Sequence, residues 1–259
     1  MKDIKSIKAI DLHSHLNHGA EYDCLQNETA IHKANLNFLK EMYSRANIEM
    51  AVFSTFSAVL HTEEIVQENE YLHELALKDE KVFQWVVVDP RQDKTFEQAD
   101  RMLDSHKCLG LKIMPGTHQY DMKEYGDKIF SFANERKTTI LIHPTCRHRD
   151  ECELADKYPE MKLILAHHEG QDHTNAILFS VNGNVYTDTS GGASVKNNFI
   201  EDAVRQAGST HIFFGTDTYA SGFQRGRIEY AGITYEDKVN ILRDNALRVF
   251  AKNFKDFKK

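Results

Sequence analysis

The chain has 259 residues, 41% of them hydrophobic and only four of them proline, enough for a full core, and an α/β barrel uses about 250 residues as one domain. A formal net charge of −7 provides no basic stripe to neutralise phosphates, which argues against nucleic acid and anionic membrane surfaces as partners. No apolar run approaches the roughly 20 residues of a membrane span, and the opening MKDIKSIKAIDLH lacks the apolar core of a signal peptide; the expected location is the cytoplasm, with Cys24, Cys108, Cys146 and Cys152 as free thiols.

Eight β-rich runs follow one another: KAIDLHSH, MAVFSTF, VFQWVVVD, CLGLKIMP, TTILIHPT, KLILAHHE, NVYTDTS and IFFGTDT. Each is followed by a segment with helical spacing. After the first, Ile31, Ala34, Phe38, Leu39 and Met42 fall on one apolar face. The last helix opens with Thr234 three residues before Asp237, a capping-box pattern, and its periodicity predicts burial of Val239, Leu242, Ala246, Val249 and Phe250. Strands alternating with helices imply parallel pairing, and eight such units without remainder predict a closed (β/α)8 barrel forming a single domain over residues 1–259. An open doubly wound sheet is the rival. It is disfavoured because no glycine-rich phosphate-binding turn follows the first strand.

In such a barrel, chemistry collects at the C-terminal ends of the strands. Here those ends carry His13 and His15, Lys112, His143, His167 and His168, Asp188 and Asp217. Side chains two apart on a strand share a face, so His13 and His15 are expected to turn together into the mouth, with Asp11 one layer deeper on the same face. One such histidine would read as a satisfied core residue. Polar groups from several strands at one rim are costly to bury unless something between them satisfies them, and a metal ion does so.

The set of motifs DLHSH, GLKIMP, ILIHP, LILAHHEG, NVYTDTSG, FFGTDT and NILRDNALRVF, in that order, resembles the metal-dependent amidohydrolase superfamily and, within it, the amidohydrolase-related group of small hydrolases, lactonases and non-oxidative decarboxylases. The resemblance implies a TIM barrel of the metal-dependent hydrolase type. Carried over residue by residue, it makes His13, His15, His143 and Asp217 metal ligands, with Asp217 also a proton carrier, and makes His167 the strand-six histidine that orients or activates a bound water. His168, directly after it, is the rival for that role. In two-metal relatives a strand-four lysine is carboxylated and bridges both ions, so Lys112 is read as either a bridging group or a substrate contact. Imidazoles with one carboxylate and no thiolate suit zinc, and one ion per chain is favoured over two.

Cys146 and Cys24 are alternative ligands, disfavoured because no Cys-x-x-Cys spacing is present, and no Gly-x-Ser-x-Gly elbow marks a serine nucleophile. The loops after strands five and eight bring Arg147, Arg149, Tyr219 and Arg225 into consideration as substrate contacts, a cationic set suited to an acidic small molecule. The leading expectation is therefore a metal-dependent hydrolase of a small, anionic amide, ester or lactone. The alternative is a metal-dependent non-oxidative decarboxylase of an aromatic or unsaturated carboxylic acid, and a third reading gives the barrel a binding role without catalysis. A homo-oligomer is compatible with all three.

Overall fold

Every β-rich run of the sequence forms a strand in the computed structural model, which describes residues 3–18, 34–143, 148–192, 194–218 and 221–257. The strands are β1 (Ala9–Leu16), β2 (Ile48–Thr55), β3 (Val82–Val87), β4 (Cys108–Ile113), β5 (Thr139–Ile142), β6 (Lys162–Leu165), β7 (Val185–Asp188) and β8 (Ile212–Phe213). They pair in parallel in sequence order, β1 to β8. Closure comes from backbone bonds beyond the regular ladder. Leu12 N–H donates to Phe214 O at 2.9 Å, and the N–H groups of Thr216 and Asp217 donate to His13 O at 3.2 and 2.8 Å. The fold is a (β/α)8 barrel.

Around it run α1 (Leu36–Arg45), α2 (Phe56–Leu60), α3 (Ile65–Lys78), α4 (Asp93–Met102), α5 (Pro115–His118), α6 (Met122–Glu135), α7 (His148–Lys157), α8 (Gln171–Phe179), α9 (Phe199–Ala207), α10 (Ser221–Glu229), α11 (Tyr235–Val239) and α12 (Asn245–Val249). Among the described residues no helix is long and apolar enough to cross a membrane. Helix α1 starts at Leu36 because the Asn35 side chain accepts the Phe38 N–H, so Ala34, expected within the apolar helical face, is buried just ahead of it; Ile31 lies outside the described residues. The Thr234–Asp237 capping box forms as expected. The final helix is not continuous, however. A π turn over Asn240–Asp244 separates α11 from α12 and widens the helix by one residue, so Leu242, Ala246 and Phe250 are buried whereas Val239 and Val249 are only partly so.

The interior of the barrel is apolar below the rim. Ile10, Leu12, Val52, Phe83, Trp85 and Phe213 meet there, and Phe250 and Phe254 seal the far end. Trp85 is wholly buried and its indole N–H donates to Leu12 O at 2.7 Å. Gly110 allows β4 and β5 to approach, since a Cβ there would lie 2.1 Å from Thr139 O, a backbone atom with no freedom to retreat.

Strand β1 departs from the expected alternation. Its register against β2 slips between Asp11, opposite Ala51, and Ser14, opposite Phe53, so the strand carries a bulge. Ile10 and Leu12 pack in the barrel interior, whereas Ala9 and Leu16 pack in the outer layer with Tyr43 of α1. Side-chain parity thus changes between Leu12 and His13. Asp11 does not sit beneath His13 in the barrel; it points outward. Its Oδ1 accepts the N–H groups of His13 and Thr216, both at 3.1 Å, and its Oδ2 accepts the hydroxyls of Thr216 at 2.5 Å and Tyr43 at 3.0 Å. The carboxyl group holds the bulge shut and ties it to the strand-eight loop.

Asp11→Ala strips acceptors from several buried donors, each costing about 1–3 kcal/mol when left unmade. We expect the variant to lose about 3 kcal/mol or more of stability in urea titrations. A loss below about 1 kcal/mol would show that the bulge holds without this carboxylate.

Candidate metal centre

The bulge turns His13 and His15 into the mouth of the barrel, where side chains from β4, β5, β6 and the strand-eight loop meet them. Asp217 Oδ1 lies 3.2 Å from His15 Nε2 and 3.8 Å from His13 Nε2. The His13 ring stacks on that of His167, with centroids 4.8 Å apart, and His143 meets His167 edge-on at 5.0 Å. Lys112 Nζ is 3.0 Å from His13 Nε2. Ligand atoms of His13, His167 and Asp217 all fall within 4.8 Å of one another.

The backbone is shaped to this end. His167, Asp217 and Thr218 adopt left-handed conformations, with φ of 60°, 53° and 69°, rarely taken by residues other than glycine and concentrated at functional sites. Thr218 pins the turn by accepting the His15 N–H and donating to His15 O, both at 2.6 Å. Gly191 lies against the His167 ring: a Cβ there would be 2.5 Å from Nδ1.

Hydrogen bonds behind the rings aim them. Asp188 Oδ2 lies 2.9 Å from His13 Nδ1, and since a carboxylate only accepts, that nitrogen carries the proton and Nε2 presents its lone pair to the mouth. Ser54 Oγ contacts His15 Nδ1 at 2.9 Å, which turns the His15 Nε2 inward as well.

Electrostatics favour a cation among these groups. Burial, followed by the positive charge of Lys112, lowers His13 to a pKa of about 3 and His143 to about 4; burial also lowers His15. The imidazoles are therefore neutral donors at pH 7. Burial works to raise Asp217 and Asp188, but hydrogen bonds and neighbouring imidazoles outweigh it and hold both carboxyls well below the usual carboxylate range. Burial brings Lys112 down to about 8, against the pull of Asp217 and Asp188. Neutral imidazoles and an ionised carboxylate with their donor atoms a few ångströms apart are a set that a divalent cation satisfies.

The structure thus brings together His13, His15, Lys112, His143, His167 and Asp217. It separates the two strand-six histidines: His168 is buried against His173, with ring centroids 5.5 Å apart, away from the stacked rings of the mouth. Among the described residues, the expected cationic members Arg149 and Arg225 do not come together. Arg225 is buried, and its guanidinium donates to Asn47 O and Ile4 O, which precede β2 and β1 at the opposite end of the barrel, and to Glu229; it is spent on packing and cannot meet a substrate at the mouth. Arg149 is exposed on α7 and paired with Glu153. Arg147, Tyr219, Cys24 and Cys146 lie outside the described residues. The sequence reading gave no role to Ser54, Thr218 or Ser190. Their only signal was position: Ser54 sits near the end of β2, and Ser190 and Thr218 lie just beyond Asp188 and Asp217.

Fold and rim together define a barrel enzyme whose mouth is built from imidazoles, one lysine and one aspartate. The chain belongs to the amidohydrolase family, whose model, described as "Amidohydrolase", matches residues 10–252. None of the curated proteins matches the sequence. Among solved structures, the chain is similar to 5-carboxyvanillate decarboxylase from Sphingomonas paucimobilis, with 15% identity, a TM-score of 0.73 and coverage of 95% of this chain and 99% of that one. It is similar to 2,6-dihydroxybenzoate decarboxylase from Rhizobium, with 15% identity, a TM-score of 0.73 and coverage of 94% and 98%. It is also similar to a dihydroxybenzoic acid decarboxylase from a Polaromonas species, solved with manganese and the inhibitor 2-nitroresorcinol, with 17% identity, a TM-score of 0.75 and coverage of 95% and 97%. These neighbours are decarboxylases, which counts against the expectation of a hydrolase and favours its alternative. A divalent metal and a small-molecule substrate are supported, while nothing in the neighbours singles out zinc.

The lowered imidazoles make stability depend on pH with a definite sign. Between a folded value of about 3 for His13 or 4 for His143 and the ordinary 6.5, the unfolded chain binds more protons, so stability is complete above 6.5 and falls as pH drops through that window. Asp11 has the opposite sign: burial raises it to about 7, so its contribution is present below 3.8 and lost as pH rises through 7. Imidazoles outnumber it. Urea midpoints of chelator-treated protein should be lower at pH 5 than at pH 7, and an equal or higher midpoint at pH 5 would show that the rings are charged in place.

Proposed function

We propose that this barrel is a metal-dependent non-oxidative decarboxylase of a small aromatic or unsaturated carboxylic acid. The observation that carries the reading is Lys112, a wholly buried cation that forms no ion pair among the described residues and lies beside the converging imidazoles. A buried ammonium is costly unless it is paired; Asp217 and Asp188 pull on Lys112 without touching it, and a carboxylate-bearing substrate would supply the direct partner. The activities of the structural neighbours support the same chemistry. The family match over residues 10–252 supports reading the chain as one barrel domain.

In this reading His13, His15 and Asp217 hold the ion, with His143 and His167 beside them. When bound, a divalent ion supplies a Lewis acid that holds substrate oxygens and offsets their charge; manganese and zinc are the two ions to compare, at one per chain. Lys112 receives the substrate carboxylate. His167 and Asp217 are the groups proposed to take up a proton from solvent and pass it to the ring or alkene carbon that bears the carboxylate. The carbon–carboxylate bond then breaks, its electron pair stays on that carbon to restore the conjugated system, and carbon dioxide leaves. Atoms and charge balance with one proton taken up and no oxidant.

Hydroxylated benzoates with a hydroxyl beside the carboxylate are the first substrates to test, with manganese added to chelator-treated protein. We expect carbon dioxide and the decarboxylated phenol in equal amounts, loss of turnover on chelation, and recovery on adding metal. Lys112→Met should raise KM about 10–100-fold, the range for a lost hydrogen bond to a charged group. Release of carbon dioxide from none of a panel of hydroxybenzoates and unsaturated acids, with metal bound, would overturn the reading.

A further inference from the structure

We propose that Ser190 is a positioning residue that fixes the tautomer of His167. Ser190 is wholly buried in the loop after β7, and its hydroxyl oxygen touches three polar groups: Asp188 Oδ1, His13 Nδ1 at 2.9 Å and His167 Nδ1 at 2.9 Å. A serine hydroxyl has one proton to give, and an ionised carboxylate can only accept. The proton therefore goes to Asp188, and the serine oxygen must accept from its other neighbours. At His167 this makes Nδ1 the donor, so that in the neutral ring Nε2 is the bare nitrogen.

Other contacts fix the arrangement. Asp188 Oδ1 also accepts the backbone N–H groups of Ser190 at 2.8 Å and His167 at 3.3 Å, so the carboxylate holds both ends of the Ser190–His167 contact. His13 Nδ1 has Asp188 Oδ2 at 2.9 Å as its own acceptor and does not compel the serine to turn. The His167 ring lies directly on Gly191, where a Cβ would come within 2.5 Å of Nδ1, so the ring cannot swing toward that backbone. One carboxylate thus sets two imidazoles, His13 directly and His167 through a serine hydroxyl. This inference rests on the decarboxylase reading only for what His167 then does with Nε2; the tautomer itself follows from the hydrogen bonds.

The test reads the tautomer without any substrate. In chelator-treated protein labelled with 15N-histidine, two-bond proton–nitrogen spectra at neutral pH distinguish a protonated Nδ1 from a protonated Nε2, and His167→Gln identifies the signal among the 14 histidines. The wild type should show protonated Nδ1 at His167. Ser190→Ala should move that ring toward the Nε2-protonated form that imidazole side chains favour in water, and Ser190→Thr, which keeps a hydroxyl, should retain the wild-type signature. Once a substrate is known, Ser190→Ala should lose about 10–100-fold in turnover, the usual range for outer partners of site histidines, and Ser190→Thr should recover most of it. A protonated Nε2 in the wild type overturns the proposal, even if Ser190→Ala fails to fold; so does an unchanged Nδ1 signature in Ser190→Ala. If the tautomer responds as stated but no acid is decarboxylated, the functional reading fails and this one stands.

Discussion

The bulge between Asp11 and Ser14 is the constraint on which the site depends. A regular strand would have sent His13 and His15 into the outer layer, where Ala9 and Leu16 pack, and would have left no imidazole from β1 at the mouth. One added residue reverses the parity without changing the strand's place in the barrel. The bulge leaves backbone groups outside the regular ladder, and Asp11 satisfies the His13 N–H among them while also accepting from Thr216. Because Thr216 precedes Asp217, the same carboxyl group sets the spacing between the two ends of the site contributed by β1 and the strand-eight loop.

From there the site is organised by charge. His13 and His143 are kept neutral by burial and by Lys112, while Asp188 and Asp217 stay ionised, so lone pairs and negative charge face a buried ammonium. Such an arrangement is poorly satisfied by its own members. A surplus of acceptors beside a cation that no carboxylate touches is suited to a ligand that brings both a positive centre and a carboxylate, which is the proposed pairing of a metal ion with an acidic substrate. The similarity to solved decarboxylases at about 15% identity lies in the barrel itself; the local case for an acidic substrate is made by Lys112.

Much of this was legible in the sequence because barrels repeat. Eight apolar runs of strand length gave eight strands, and the polar residues at their ends gave the rim, since strand termini are where a parallel barrel can expose chemistry. His13, His15, His143, His167, Lys112 and Asp217 were all visible in that way. Asp11 was misplaced because period-two alternation cannot register an added residue that the strand absorbs as a bulge. Arg225 was misplaced because a loop position near the rim in sequence became part of α10, which carries it down the outside of the barrel to Asn47 and Ile4. Ser190 and Ser54 were invisible for a different reason. A small hydroxyl residue has no periodic signature, and its importance appears only when the rings behind which it stands are in place.

Trp85 gives the molecule a further property. It is the only tryptophan in the chain, it is wholly buried, and its indole N–H is bonded to the carbonyl of Leu12, the residue just before the parity reverses. The indole excited state is sensitive to the hydrogen bond at its nitrogen and to polar groups near its ring, so the fluorescence of this protein comes from one emitter seated under the floor of the site. Its colour and lifetime act as an optical gauge of the bulge, free of background from any second tryptophan and requiring no label.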